Sequence, residues 1–65
     1  MEIKVELLLL KKKQIDLLFE LNNRGIRCSA QELSMALRGC PRPKFDKMRA
    51  MSEEIIKEWK AAVAT

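Results

Sequence analysis

The sequence predicts an all-α fold, a single domain over residues 1–65 built from four or five short helices. Three observations lead there. Aliphatic residues abound while the aromatics are only Phe19, Phe45 and Trp59, with no Tyr, a balance that suits packed helices better than a sheet of β-branched and aromatic strands. Punctuation falls in two places, Asn22-Asn23-Arg24-Gly25 and Gly39-Cys40-Pro41-Arg42-Pro43, which divide the chain into pieces of helical length. Between them, Ser29 and Glu32 have the spacing of a capping box, in which each side chain satisfies a free backbone N–H of the other.

The first piece covers about residues 2–11. Ile3, Leu7 and Leu10 share one helical face, whereas Ile3, Val5, Leu7 and Leu9 also alternate as a strand would. Leu propensity favours the helix, and Val5 and Leu9 then stand outside its inward face and need cover. The second piece, about residues 14–22, points Leu17, Leu18 and Leu21 inward, with Ile15 at the border and Asp16 and Glu20 outward. Asp16 also complements the helix dipole, and Gly25 supplies a residue free to take positive φ after the helix. The third piece starts at Ser29, turns Leu33 and Leu37 inward beside Ala30 or Ala36, and stops at Gly39. The fourth, about residues 44–62, follows a proline that cannot extend the preceding helix. Its apolar residues Phe45, Met48, Ala50 or Met51, Ile55 and Trp59 keep near-helical spacing. Ser52 followed by Glu53 and Glu54 can cap a fresh start, so this stretch is one long helix or two short ones.

Charge narrows the function classes. Residues 11–49 carry ten basic side chains against four acidic ones, while the remainder carries three against five. The positive excess is therefore concentrated in the middle of the chain, where a polyanion is the natural partner. Cys28 and Cys40 are too few for the disulfide framework of a small secreted domain. With no His in the chain they also fall short of a zinc set. No metal or cofactor is expected. The opening residues read as a charged amphipathic stretch rather than a signal sequence. The apolar run at residues 7–10 is far below the roughly 20 residues of a membrane span. A reduced, cytoplasmic protein without a membrane partner is the expectation. Enzymatic chemistry is not expected either, because no Ser or Cys sits beside a plausible base and no Gly-rich phosphate loop is present.

Two short helices joined by a turn within a basic surround point to a helix-turn-helix centred on residues 14–39. On the third piece Gln31, Glu32, Met35 and Arg38 form one stripe opposite Leu33 and Leu37. Gln31 carries the donor–acceptor pair that fits an adenine edge, Met35 suits a thymine methyl, and Arg38 reaches phosphate or guanine. Glu32 can accept from cytosine, although capping competes for its carboxylate.

The sequence resembles the Cro-like and phage-repressor-like (lambda-repressor-like) helix-turn-helix domains. The residues that carry the likeness are Gln14-Ile15-Asp16-Leu17-Leu18-Phe19-Glu20-Leu21, then Ser29-Ala30-Gln31-Glu32-Leu33-Ser34-Met35-Ala36-Leu37-Arg38-Gly39, then Pro43-Lys44-Phe45. One departure is visible: the family's tight Gly-aliphatic turn is replaced by the longer residues 22–27, with Cys28 in the aliphatic position. The resemblance implies a transcriptional regulator of a phage or mobile element, a repressor that lodges residues 30–38 in the major groove of double-stranded DNA as a homodimer. It implies Ala30, Gln31, Glu32 and Met35 at the bases, and Lys13, Gln14, Arg38, Arg42 and Lys44 at phosphates. Ile56 and Trp59, on the last helix and away from the basic surface, are the candidates for dimer contact.

The main rival is a small helical interaction module, such as an antirepressor or adaptor. Phe19, Val5, Leu9, Ile56 and Trp59 are more apolar than a monomer of 65 residues easily hides. The concentrated positive charge favours DNA, since an adaptor has no need of it. RNA is a weaker reading, because the basic region lacks aromatics on which bases stack.

Overall fold

The structure, a computed structural model, describes residues 2–64. It contains α1 (Ile3–Leu9), α2 (Gln14–Asn23), α3 (Ala30–Leu37) and α4 (Pro43–Ala64), with no strand among the described residues. The first piece is thus a helix. Ile3 and Leu7 are buried with Leu10 packed against them, the inward face that helical spacing requires, and Val5, Leu8 and Leu9 are turned outward.

Three helices end in the same way. In α2 the Ile26 N–H donates to the Leu21 carbonyl at 3.0 Å and the Gly25 N–H to the Asn22 carbonyl at 3.1 Å. In α3 the Cys40 N–H donates to Met35 at 3.3 Å and the Gly39 N–H to Ala36 at 3.0 Å. Each pair is a Schellman closure, with Gly25 at φ +92° and Gly39 at φ +95° in the left-handed region the motif demands. α1 repeats the pattern through Lys12 to Leu7 at 2.9 Å and Lys11 to Leu8 at 3.1 Å. There the left-handed residue is Lys11, at φ 58°, a conformation that strains a side chain bearing a Cβ.

The start of α3 is a full capping box. Ser29 Oγ accepts from the Glu32 N–H at 3.1 Å, and the Ser29 N–H donates to Glu32 Oε1 at 3.0 Å. α2 is opened by Asp16, whose Oδ2 accepts from the Lys13 N–H at 2.9 Å. The long turn between them is tied by one side chain: Asn22 donates to the Leu18 carbonyl at 3.0 Å and accepts from the Cys28 N–H at 3.4 Å.

α4 is a single helix of 22 residues and the spine of the domain, packing against α1, α2 and α3, while α2 also packs on α3. Pro43 sits in its first turn, where a missing N–H costs nothing. Its inward stripe is Phe45, Met48, Ser52, Ile55 and Ile56, all buried, with Trp59 packed at the edge. Leu17, Leu21, Leu33 and Ala36 complete the core from α2 and α3.

One open alternative is settled here and one expectation is corrected. Ser52 does not cap a second helix; it is buried mid-helix and its hydroxyl donates to the Met48 carbonyl at 2.6 Å. Ile56 is not a surface residue available for dimer contact: it is 0% exposed, one turn beyond Ser52 on the same inward stripe. Leu33 and Leu37 face inward as expected, Leu37 half-buried against the core, and Ala36 rather than Ala30 is the fully buried alanine beside them.

Candidate nucleic-acid interface

The stripe expected on α3 divides in two. Gln31 and Arg38 are exposed. Met35, midway between them, is half-buried and packed against the core, and its carbonyl accepts from the Arg38 and Cys40 N–H groups at 3.2 and 3.3 Å. Met35 therefore presents an edge to solvent rather than a free side chain. Ala30, the first residue of α3, is exposed beside Gln31.

Glu32 is committed within the protein. Its Oε1 holds the Ser29 N–H, and its Oε2 accepts from Lys44 Nζ at 2.7 Å. Lys44 first, and the Ser29 amide second, hold the Glu32 carboxyl below its ordinary range. This pair joins the start of α3 to the start of α4. A base or phosphate that engages either residue has to compete with that ion pair.

The other candidates are open. Lys13 and Gln14 are exposed at the start of α2. Asp16 has taken the Lys13 N–H, and the helix start leaves the Gln14 and Ile15 amides without helical partners. Arg42 is exposed in the loop before α4 and lies over the Phe45 ring, 5.8 Å from its centroid. Trp59 is half-buried beneath Lys12, whose Nζ lies 5.2 Å from the ring centroid.

Several basic residues that contribute to the charge of the middle segment have structural duties. Arg24 donates to both oxygens of Glu58 at 2.8 and 2.9 Å and to Glu20 at 3.1 Å, fastening the end of α2 to α4. Glu58, and next Glu20, push the Arg24 guanidinium up, and Arg24 holds the Glu58 carboxyl down. Arg49 donates to the carbonyls of Ala36 at 2.9 Å and Cys40 at 3.1 Å and pairs with Asp46. It thereby satisfies carbonyls at the C-terminal end of α3, where a cation also complements the dipole. Sequence reasoning missed this role, because the partners are backbone atoms of another element and leave no side-chain signature. Among the described residues, Lys13, Arg27, Arg38 and Lys47 form no ion pair. Arg27, in the turn between α2 and α3, is exposed and joins the candidate cations.

Cys28 and Cys40 are both half-buried free thiols. Burial, followed by the nearby Glu32 charge, pushes the Cys28 thiol up, away from thiolate reactivity. No helix among the described residues is long and apolar enough to cross a membrane. No family model, curated protein or solved structure matches the chain.

Proposed function

We propose that this protein binds double-stranded DNA in a sequence-dependent way, with α3 as the recognition helix of a lambda-repressor-like helix-turn-helix, and acts as a transcriptional repressor by occluding a promoter. The observation that carries the reading is the exposed Gln31 on α3 and the exposed Arg38 at its C-cap, with the unpaired cations Lys13 and Arg27 and the exposed Arg42 on the adjoining segments. Gln31 has the two-point hydrogen-bonding pattern for an adenine edge in the major groove. Arg38 at the far end of the helix reaches guanine or a phosphate. Lys13, Gln14 and the amides at the start of α2 suit a phosphate oxygen. With its carboxylate neutralised by Lys44, Glu32 sets little repulsion against the DNA backbone.

Two variants separate base reading from charge. Gln31→Ala should cost about 1–3 kcal/mol on a preferred duplex and relax base choice at one position. Lys13→Ala should weaken all duplexes alike and lower the salt slope by about one unit. Fluorescence anisotropy at several salt concentrations reads both effects. Unchanged base preference in Gln31→Ala would remove α3 from the recognition role.

One observation favours a second reading, a protein-interaction module: Val5, Leu8, Leu9 and Phe19 are exposed apolar residues. A homodimer of the DNA-binding domain uses the same feature, and the two readings differ in whether duplex DNA binds at all.

A further inference from the structure

Glu32 stands next to Gln31 at the start of α3, yet both of its carboxylate oxygens are taken from within the chain. Oε1 accepts from the Ser29 N–H at 3.0 Å and Oε2 from Lys44 Nζ at 2.7 Å. Neither side chain is buried: that of Glu32 is 35% exposed and that of Lys44 49%. A ligand on α3 therefore meets this pair, and what it meets depends on whether the pair stays closed. Lys44 is the second residue of α4, at the end of the helix where a cation opposes the dipole. Its charge does nothing for its own helix and is matched only by the carboxylate of the neighbouring one.

We propose that Lys44 is a specificity-determining residue that acts through Glu32: it holds the carboxylate against the start of α4, keeps it from reading a base, and is itself no phosphate contact. The inference rests on the reading of α3 as a recognition helix. A free carboxylate beside Gln31 accepts from the N4 amino group of cytosine, so an unrestrained Glu32 adds a base preference that Gln31 lacks. To reach a base in the closed state, the carboxylate has to give up a charge-assisted bond to Lys44 and the Ser29 half of its capping box together. One bond to a base then replaces two. A bare carboxylate at the groove also repels the phosphates, and Lys44 cancels that charge where it arises. Lys44 is thus a positioning residue for Gln31's neighbour, and the start of α3 reads through Gln31 alone.

The test compares wild type, Lys44→Met and the double variant Glu32→Gln/Lys44→Met by duplex selection and by fluorescence anisotropy at several salt concentrations. Gln serves the capping box as Glu does, and Met keeps the apolar stem of Lys44, so all three should share one helical circular dichroism spectrum. Lys44→Met should bind the wild-type motif several-fold more weakly and enrich cytosine at the base pair beside the one Gln31 reads. The double variant has the same net charge as the wild type and should match its motif, its salt slope and, within about twofold, its affinity. Lys44→Arg should keep the wild-type preference. A double variant that binds every duplex more weakly, with a salt slope lower by about one unit, would make Lys44 a phosphate contact and overturn the proposal. A base preference beside that of Gln31, present in the wild type and lost in the double variant, would make Glu32 a reader and overturn it too. Carbon-13 NMR titration of the Glu32 carboxyl checks the pair without DNA. Its midpoint should lie below the ordinary range in the wild type and rise in Lys44→Met, with the Ser29 amide and the Cys28 thiol as the remaining neighbours. An unchanged midpoint would overturn the proposal. A wild type that enriches no duplex would overturn the DNA reading and this inference with it, and a Glu32 midpoint that still follows Lys44 would show that the ion pair is not what failed.

Discussion

Lys11 is the residue at which local chemistry and fold disagree most plainly. Three helices close with the same pair of hydrogen bonds, yet only two of them place glycine in the left-handed position. Lys11→Gly should therefore stabilise the fold by about 0.5–1 kcal/mol, and Gly25→Ala or Gly39→Ala should destabilise it by about 1 kcal/mol. A Cβ at either glycine meets nothing within 4 Å, so the loss is backbone strain alone, and urea denaturation should show it without a change in slope. Arg49 belongs at the same scale. Arg49→Ala strips the Ala36 and Cys40 carbonyls of a charged donor and should cost about 1.5–3 kcal/mol, a loss that Arg49→Lys recovers only in part because the fork geometry is gone.

At the scale of elements, the ends of the helices were the most legible part of the sequence. Ser29 with Glu32, Gly25 and Gly39 each act through neighbours three to five residues away, and the structure has them in the expected roles. The interior of α4 was less legible. Ser52 before two glutamates is a good cap signal locally, but continuous packing against three other helices outweighs it, and a hydroxyl that bonds back to Met48 can be buried at little cost. Once α4 is one helix, its phase places Ile56 inward, against the expectation of a dimer contact. The exposed face of α3 was half legible: Gln31 and Arg38 are where periodicity puts them, but Met35 and Glu32 are drawn in by the core and by Lys44, contacts between elements with no local signal. The ion pairs that join elements have a consequence in acid. Arg24 and Lys44 hold Glu58 and Glu32 below the usual carboxylate range. Carboxyls whose folded value is depressed contribute stability above their unfolded value, roughly pH 4.3, and lose it as pH falls through the folded value. Thermal midpoints should thus drop as pH is lowered from about 5 toward 3, and Glu58→Gln with Glu32→Gln should flatten that profile.

For the whole molecule, charge read as a sum and charge read in place give different pictures. The positive excess of the middle segment is visible in the sequence, but Arg24, Lys44 and Arg49 spend theirs on carboxylates and carbonyls. What remains outward is a smaller set, Lys13, Arg27, Arg38 and Arg42 among them. The salt dependence of DNA binding should accordingly reflect this outward set rather than the full count, a slope of a few units for each bound chain. The central claim, that α3 reads sequence in duplex DNA, is tested most directly by selection of random duplexes with the purified protein, followed by titration of the enriched sequences at several salt concentrations. Enrichment of a defined motif, bound with steep salt dependence, is the expected result, and the motif should present an adenine where Gln31 docks. Unenriched duplexes, bound weakly or not at all, would contradict the claim and turn attention to a protein partner.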